Sequence, residues 1–420
     1  MRIYISGISG TAMGPLALMA KEVGFEVFGT DLQAGAVFEE LKKAKIDVEI
    51  GRQDSKFLEK IFMEGGIDWF VYTSALPKDH KELLKAKELG IKTSKRDEFI
   101  EFLIEKMELK MVAVAGTHGK TTTTAGIVYL CKKLGLPVSW LVGTTLGFEE
   151  AGKYVRGSKY LIYEADEYDR NFLYYHPFLS VITSVSYDHP DIYPTVEEYR
   201  EAFEQFRKQS RKVIEDTDLA DKLSVAGEVR RFDLALGIEA GLRIVEDLRR
   251  NDELKEGDYS LERMIEIMNT FPGVGRRMER IARGVYSDYA HHPEEIKATI
   301  EIAKETAEKE GMRGVVVVYE PHQNIRQHEV FSGYKDAFLG AEKVFWMPTF
   351  LTREDPNLKV IKPEEFVDSL ENNKVGETAG FDEKLFSKLE KYREEGFLIL
   401  LMSAGPGDGW FREHFSGLVD

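Results

Sequence analysis

Short apolar segments alternate with helical patterns along the whole chain. In the first 108 residues, strands are predicted at Arg2–Ser6, Glu26–Gly29, Asp47–Ile50 and Trp69–Thr73. Helical patterns separate these strands. The alternation is typical of βαβ units, so it predicts a parallel sheet with helices packed against it.

The same rhythm begins again twice further along the chain. A charged helix around Lys95–Lys106 leads to a fresh buried strand at Met111–Ala115, and a third region begins near Pro272–Gly273. The remaining strands are predicted at Tyr160–Glu164, Val181–Val185, Val315–Tyr319, Lys343–Trp346 and Leu398–Met402. The simplest interpretation is an α/β protein of three successive domains, at residues 1–108, 109–270 and 271–420.

Composition and charge narrow the class of protein. A chain of 420 residues is too long for one hydrophobic core, and 43% hydrophobic with 31% charged residues is a globular composition. The 73 acidic and 57 basic residues give a net charge of −16, which argues against a basic nucleic-acid-binding surface. We find no apolar run near the roughly 18 residues of a membrane span, and no signal peptide. Cys131 is the only cysteine, so we expect a cytoplasmic protein without an intrachain disulfide.

A glycine-rich turn between a strand and a helix carries the strongest chemical signal. The segment Met111–Thr124 reads as an apolar strand, a turn and a helix that opens at Lys120-Thr121. Backbone N–H groups of such a turn cradle phosphate, and the helix dipole adds to the attraction. Lys120 is expected to reach the β- and γ-phosphates, and the Thr121 hydroxyl to bind Mg²⁺. The predicted phosphate loop comprises Gly116, Thr117, His118, Gly119, Lys120, Thr121 and Thr122.

Acidic and imidazole side chains follow two later strands. Glu164-Ala-Asp-Glu-Tyr-Asp169 ends one strand, and Tyr187-Asp-His-Pro190 comes after the next. The ends of neighbouring parallel strands open on one edge of a sheet, where a phosphate loop places its nucleotide. Glu164 and His189 are therefore predicted to hold, with Thr121, a Mg²⁺ that bridges ATP and substrate.

The third region contains two histidine-rich motifs at or near strand ends. They are Ser287-Asp-Tyr-Ala-His-His-Pro293 and Tyr319-Glu-Pro-His-Gln-Asn-Ile-Arg326. Five of the nine histidines lie in these motifs, the phosphate loop and the segment around His189, and this concentration favours a functional site. We find no Cys/His spacing that suggests a zinc site.

The N-terminal strand also runs into a glycine-containing turn. Compared with the dinucleotide pattern G-x-G-x-x-G, the chain keeps Gly7 but places Ser9 and Ala12 at the second and third positions. Asp31, after the second strand, lies where a ribose-binding acid would be. These residues fit NAD and other diphosphate nucleotides about equally, so an NAD-binding oxidoreductase remains an alternative.

Taken in order, these motifs resemble those of the Mur ligases, which build the peptide of peptidoglycan. The resemblance covers essentially the whole chain, and it also includes Arg276-Arg-Met-Glu279. It implies a Rossmann-like UDP-sugar domain, a central P-loop ATPase domain and a Rossmann-like C-terminal domain that brings the amine. It also implies ATP and Mg²⁺ as cofactors and a monomer or homodimer. The nucleotide-binding residues implied outside the phosphate loop are Gly7, Ser9, Gly10, Thr11, Met13, Asp31, Ser74, Arg277 and Asp288.

The chemistry implied by the resemblance is amide ligation through an acyl phosphate. A sugar-linked carboxylate attacks ATP, and an amine then displaces phosphate. Lys120, His291 and Arg326 are the implied catalytic residues: Lys120 stabilises phosphoryl charge, His291 positions or deprotonates the amine, and Arg326 faces the carboxylate of an amino acid.

Two branches of the family look closest. One joins L-alanine to UDP-N-acetylmuramate, and Arg326, Arg353-Glu354 and Gly405-Pro-Gly-Asp408 favour it. The other attaches a murein tripeptide to the same sugar nucleotide in recycling, and Gly10-Thr-Ala-Met-Gly14 and Glu164–Asp169 favour that branch. We prefer L-alanine.

Departures from the family pattern keep a third substrate open. Val229 and Arg230 replace the family's His-Asn pair, and Asp233 stands at a later Asn. Gln323 replaces an arginine, and Phe203 occupies the place of a modified lysine found in other branches. The central domain is also short between Phe206 and Val229. A ligase for another substrate, such as a pseudomurein precursor, is therefore a further alternative.

Overall fold

A computed structural model describes residues 1–35, 37–74, 76–189, 192–352 and 354–417. Pro190, at the end of the segment Tyr187-Asp-His-Pro190, and Arg353, named above in favour of the alanine-adding branch, lie outside these described residues. The chain forms two compact units, one of residues 1–223 with 232–272 and the other of residues 224–231 with 273–420.

The first unit begins with a five-stranded parallel sheet in the order β3-β2-β1-β4-β5. Its strands are β1 (Arg2–Ser6), β2 (Glu26–Asp31), β3 (Asp47–Ile50), β4 (Trp69–Tyr72) and β5 (Lys92–Lys95). Its helices are α1 (Met13–Glu22), α2 (Phe38–Lys43), α3 (Lys56–Gly65), α4 (Lys81–Glu88) and α5 (Arg96–Met107). Because β1 lies at the centre of the sheet, its residues Ile3–Ser6 are all buried.

A second, six-stranded sheet in the same unit has the order β11-β10-β6-β9-β7-β8. Its strands are β6 (Lys110–Ala115), β7 (Val138–Leu141), β8 (Gly152–Lys153), β9 (Tyr160–Glu164), β10 (Leu179–Ile182) and β11 (Val213–Ile214). The helices are α6 (Lys120–Lys133), α7 (Val196–Gln209), α8 (Glu228–Arg250), whose first four residues belong to the second unit, and α9 (Leu261–Asn269). Only β8 runs antiparallel to its neighbour.

The second unit is built on another six-stranded sheet, in the order β12-β13-β17-β14-β15-β16. Its strands are β12 (Glu279–Ala282), β13 (Val285–Asp288), β14 (Val315–Glu320), β15 (Lys343–Trp346), β16 (Gly376–Thr378) and β17 (Leu398–Ser403). Its helices are α10 (Pro293–Lys309), α11 (Asn324–Val330), α12 (Pro363–Ser369), α13 (Glu383–Glu394) and α14 (Gly407–Phe415). Strands β14 and β17 are buried along their whole length at the centre.

The predicted alternation of strands and helices is confirmed, with one strand misplaced. The sequence predicts a strand at Val181–Val185, but β10 covers Leu179–Ile182. Beyond Ile182 the backbone turns to the phosphate loop instead of extending the sheet. The Thr183 N–H donates to the Ala115 carbonyl at 2.9 Å, and the Ser184 carbonyl accepts from the Thr117 N–H at 3.0 Å.

Two further sequence features have plain structural counterparts. Phe203, at the position of a modified lysine in other branches, is fully buried, with its ring 5.0 Å from the Phe172 ring. Between Phe206 and Val229 the described chain adds only the two-residue strand β11 and one short 3₁₀ turn.

Among the described residues, no helix combines the length and apolar character needed to cross a bilayer.

Helix α1 and strand β8 approach each other closely at Gly152. A Cβ at Gly152 would lie 2.5 Å from the Pro15 Cα, and the neighbouring Ala151 N–H donates to Glu40 at 3.1 Å. Since both partners of this contact are backbone, neither can rotate away. Only glycine fits there.

We therefore expect Gly152→Ala to lower the free energy of unfolding by about 1–3 kcal/mol, the usual range for overpacking a close contact. Thermal or urea denaturation followed by circular dichroism measures the change. Gly147→Ala is the matched control, because a Cβ at Gly147 meets nothing within 4 Å. Equal stability of the two variants would contradict the expectation.

Candidate functional site

The phosphate loop has the predicted strand–turn–helix form. Strand β6 ends at Ala115, and α6 begins at Lys120. Gly116 and Gly119 have φ of +144° and +83°, and a Cβ at either position would overlap a side chain, that of Thr183 or Asp233. Glycine is thus required twice, by backbone conformation and by space.

Lys120 folds back into this loop and is held by carbonyls and an acid. Its Nζ donates to the carbonyls of Gly116 and Thr117 and lies 2.8 Å from Glu167 Oε2. Burial alone lowers the pKa of Lys120, but the carboxylates of Glu167, Asp166 and Glu164 together outweigh this and raise it above its ordinary value. The lysine is therefore a fixed positive charge at the mouth of the loop.

Glu167 is the central acid of this edge, and the sequence motifs did not single it out. Its side chain is 2% exposed, and Oε1 lies 3.5 Å from His189 Nε2. Burial raises the pKa of Glu167, yet Lys120 and His189 more than compensate, so the net pKa is lowered. The only sequence signal was its place in Glu164-Ala-Asp-Glu167, just after a strand.

Glu164 lies beside Thr121, with which it is predicted to share a metal ion, and it also accepts a backbone hydrogen bond. Thr121 Oγ1 donates to Glu164 Oε1 at 2.8 Å, and the Gly143 N–H donates to Oε2 at 2.9 Å. Thus the contacts pair Thr121 with Glu164, and His189 with Glu167. Hydroxyl and carboxylate oxygens are the donors that Mg²⁺ prefers, so this set fits the ion.

The other loop side chains hold the loop together or lie at its surface. Thr117 Oγ1 donates to the Ser186 carbonyl at 2.6 Å and lies 2.7 Å from the Tyr199 hydroxyl. The His118 N–H donates to Ser184 Oγ at 2.9 Å. Thr122 is half-buried in the first turn of α6. Through these contacts the loop is fastened to the segment that follows β10.

The N-terminal turn is also fixed by backbone contacts. Gly7, with φ of +81°, donates its N–H to the Thr30 carbonyl at 2.8 Å. Asp31 Oδ2 accepts from the Ser9 N–H, and Oδ1 accepts from the Leu32 N–H, both at 2.8 Å. Asp31 therefore shapes the turn, in addition to any contact with a ribose.

The remaining residues predicted around this turn differ in burial. Gly10 continues the turn, with its N–H donating to the Gly7 carbonyl at 3.3 Å, and Met13 is buried at the start of α1. Thr11 and Ser74 are exposed. The exposed pair is free to meet a ligand, whereas the Met13 side chain belongs to the core.

A buried carboxylate that the sequence did not reveal holds together the two strands on either side of the Gly7–Met13 turn. Glu82 on α4 accepts hydrogen bonds from Tyr4, Ser6 and Thr30 at 2.7–2.8 Å and is 1% exposed. Three hydroxyl donors satisfy its oxygens, as burial of a carboxylate requires. Glu82 thereby links the end of β1, which the turn follows, to the end of β2.

In the second unit, Asp288 is a buried anchor. Its Oδ2 accepts from the Met278 N–H and its Oδ1 from the Ala290 N–H, both at 2.8 Å. Burial raises its pKa, although Arg277 and these amides oppose the shift. Since both oxygens accept hydrogen bonds from backbone N–H groups, Asp288 holds the Arg276–Met278 turn. The Arg277 guanidinium lies 5.4 Å from the centre of the Tyr289 ring.

His291 and Arg326, predicted separately, are brought together. Arg326 Nη1 is hydrogen-bonded to His291 Nε2, and His291 Nδ1 lies 3.1 Å from the Tyr289 carbonyl. The neighbouring His292 and His322 make structural contacts instead. His292 caps α10 by accepting from the Glu294 N–H at 3.4 Å, and His322 stacks on Phe350 with ring centroids 5.8 Å apart.

Comparisons with known proteins cover nearly the whole chain. Residues 2–107 match the model described as Mur ligase family, catalytic domain, residues 114–241 the Mur ligase middle domain, and residues 276–405 the Mur ligase, glutamate ligase domain. A UDP-N-acetylmuramate–L-alanine ligase of Caldicellulosiruptor saccharolyticus is 28% identical, over 97% of this chain and 94% of the relative. The enzyme of the same name from Clostridium kluyveri is 30% identical, over 84% of each chain.

A solved structure has the same fold. It is the UDP-N-acetylmuramate–alanine ligase of Thermotoga maritima, with a TM-score of 0.73 and 20% identity, covering 99% of this chain and 98% of that one. The three-domain α/β architecture inferred from the sequence is confirmed.

The geometry predicts a pH-dependent stability for the Lys120–Glu167 pair. A carboxylate whose pKa is lowered on folding contributes stability above its ordinary value of about 4.5, and this contribution is lost as the pH falls through the folded-state value. Glu167→Gln leaves a buried cation without its partner, so at pH 7 it should lower the free energy of unfolding by about 3–5 kcal/mol.

Denaturation curves from pH 7 to pH 3 test this. The difference between wild type and Glu167→Gln should shrink as the pH falls below about 4.5. Glu201→Gln, on the exposed face of α7, is the control and should behave as wild type. A difference that is independent of pH would rule out ionisation of Glu167 as its source.

Proposed function

The chain belongs to the Mur ligase family, and on that premise we propose that it joins L-alanine to the carboxylate of UDP-N-acetylmuramate, converting ATP to ADP and phosphate. The observation that carries this proposal is the loop at Gly116–Thr122 with its lysine held against an acidic strand edge. The names and near-complete coverage of the curated relatives support the choice of substrates.

The first step places charge on phosphoryl oxygens. The substrate carboxylate attacks the γ-phosphorus of ATP, forming an acyl phosphate while the bond to ADP breaks. Lys120 now donates to two carbonyls and Glu167, and we propose that it exchanges these partners for phosphate oxygens. Its charge then stabilises the transition state, because the loop positions it before the reaction begins.

Four side chains would hold the Mg²⁺ that this chemistry requires. Thr121, Glu164 and His189 are the residues predicted from the sequence, and Glu167 joins them because it contacts both His189 and Lys120. When bound, the ion neutralises phosphate charge and orients the phosphates. Replacing Glu167 or Glu164 by alanine should thus raise the Mg²⁺ concentration that ligation requires.

The second step requires an unprotonated amine. We propose that His291 takes its proton and that Arg326 binds the amino acid's carboxylate, since a guanidinium matches a planar carboxylate with two parallel hydrogen bonds. The amine nitrogen then bonds to the acyl carbon, and phosphate leaves with the electrons of the broken C–O bond.

The remaining assignments follow the three predicted domains. We propose that residues 1–108 bind the UDP-sugar through the turn at Gly7–Met13, residues 109–270 bind ATP, and residues 271–420 select the amine. The backbone contacts of Ser9 and Asp31 support a preformed turn for the diphosphate. A cytoplasmic location would supply ATP and the sugar nucleotide together.

Lys120→Ala should remove nearly all ligation. Loss of one preorganised charge-stabilising group costs about 10²–10³ in kcat, roughly 3–4 kcal/mol. Phosphate release with ATP, UDP-N-acetylmuramate and L-alanine measures it, at a temperature where circular dichroism shows the variant folded. Lys133→Ala, exposed at the far end of α6, is the control. Retention of more than about half the wild-type rate would refute the role of Lys120.

A competition among amines tests the substrate. L-alanine should have a higher kcat/KM than the murein tripeptide, and Arg326→Ala should reduce the value for L-alanine about ten- to a hundredfold, as expected for losing hydrogen bonds to a charged group. If the tripeptide is preferred, the recycling role replaces this proposal, and if neither reacts, a pseudomurein-type precursor is the next substrate to test. Heat protection by NADH but not by ATP would revive the oxidoreductase alternative.

A further inference from the structure

Both ring nitrogens of His291 are engaged. Nδ1 lies 3.1 Å from the Tyr289 carbonyl and 3.4 Å from Glu295 Oε2, two acceptors. Nε2 faces Arg326 Nη1. A guanidinium can only donate, so Nε2 must accept and the ring proton is assigned to Nδ1. His291 is thus in the tautomer of a base, but its lone pair is occupied.

Buried hydrogen bonds hold the two residues in this arrangement. The Tyr319 hydroxyl donates to the His291 carbonyl at 3.1 Å and lies 2.8 Å from the Tyr334 hydroxyl. Tyr334 in turn donates to Gln327 Oε1 at 2.6 Å, next to Arg326 on α11. Tyr319, Tyr334 and Gln327 are all fully buried. The backbone positions of His291 and Arg326 are therefore linked through the core.

Burial and two neighbouring guanidinium groups favour the neutral form of the His291 ring. Burial lowers the pKa of His291, and Arg326 and Arg277 lower it further, while Glu295 opposes them. Glu295, Arg326 and Arg277 are the charged side chains with the largest effect on the ring. As long as Arg326 stays in place, a proton on Nε2 would confront a guanidinium at hydrogen-bond distance, which is strongly repulsive.

A carboxylate is a better partner for Arg326 than an imidazole. It accepts two charge-assisted hydrogen bonds from a guanidinium, whereas Nε2 of the neutral imidazole accepts only one. We propose that the carboxylate of the incoming amine draws Arg326 away from His291, so that the base becomes available only when that substrate is bound. This inference rests on the proposed function, because it assigns Arg326 to the substrate's carboxylate and His291 to its ammonium.

The proton balance is simple. The substrate enters as an ammonium, and its N–H bond breaks as Nε2 takes the proton, which leaves an imidazolium and a neutral amine. The amine's lone pair forms the C–N bond, and phosphate departs with the electrons of the C–O bond. The nitrogen loses its second proton to the departing phosphate. Without withdrawal of Arg326 the first transfer has no acceptor.

Amines without a carboxylate separate this mechanism from simple anchoring. With L-alaninamide, Arg326→Met should react about ten- to a hundredfold faster than wild type, the equilibrium factor for removing one hydrogen bond to a charged group. With L-alanine the same variant should be slower. Propionate, which supplies a carboxylate without an amine, should accelerate wild type with L-alaninamide and leave the variant unchanged.

The opposite results overturn the proposal. An arginine that only anchors substrate predicts equal rates with L-alaninamide, and an arginine that only supports the fold predicts losses with both amines. Arg283→Met, an exposed arginine in the turn after β12, is the control and should match wild type. If wild type does not ligate L-alanine at all, the proposed function fails.

A spectroscopic measurement decides the switch independently of turnover. In full-length protein labelled with ¹⁵N-histidine, with His291→Gln for assignment, saturating propionate should move the Nε2 resonance of His291 to its position in Arg326→Met. The variant itself should not respond to propionate. A wild-type resonance that stays in place would overturn the proposal even if L-alanine is a substrate.

Discussion

The buried ion pair between Lys120 and Glu167 is the interaction on which the central site depends. Their side chains are only 17% and 2% exposed. Taking such charges out of water costs several kcal/mol for each ion unless the two are paired and hydrogen-bonded. The pair is satisfied here because β6, β9 and β10 lie side by side and deliver the lysine, the acid and His189 to one edge of the sheet. A change in strand order would leave each charge buried alone.

The second unit solves a similar problem in a different way. At the ends of its central strands, carboxylates are satisfied by backbone amides and hydroxyls, as Asp288 and Glu320 are, and no lysine is needed. Burial raises the pKa of both acids. His291 and Arg326, the proposed catalytic residues of this unit, are hydrogen-bonded to each other. The proposed site for a small amine thus uses few groups, whose backbone positions are fixed by the sheet.

The departures from the family pattern are absorbed without loss of the core. Phe203 fills its position with an aromatic ring, and Asp233 is buried against Gly119, where a Cβ would overlap its carboxylate. The tight fit at Gly119 shows that the phosphate loop and α8 are adjusted to each other. Replacement of the family's Asn at this position therefore bears on the shape of the loop.

Local pattern was enough to determine much of this protein. The alternation of strand and helix patterns predicted the three sheets, and the glycine-rich turn before Lys120 predicted the phosphate loop. Both predictions succeeded because strand burial and turn conformation depend mainly on residues that are close in sequence. Which side chains meet was decided by tertiary structure. Glu167 rather than Glu164 contacts Lys120 across 47 residues, and Arg326 reaches His291 across 35. Such contacts depend on strand order, register and the direction of each side chain at a strand end, where a shift of one residue turns a carboxylate to the other face. The same reason explains why β10 stops at Ile182. Residues 183 and 184 are hydrogen-bonded to residues 115 and 117, at the start of the phosphate loop, and the apolar periodicity of the strand carries no information about such tertiary contacts.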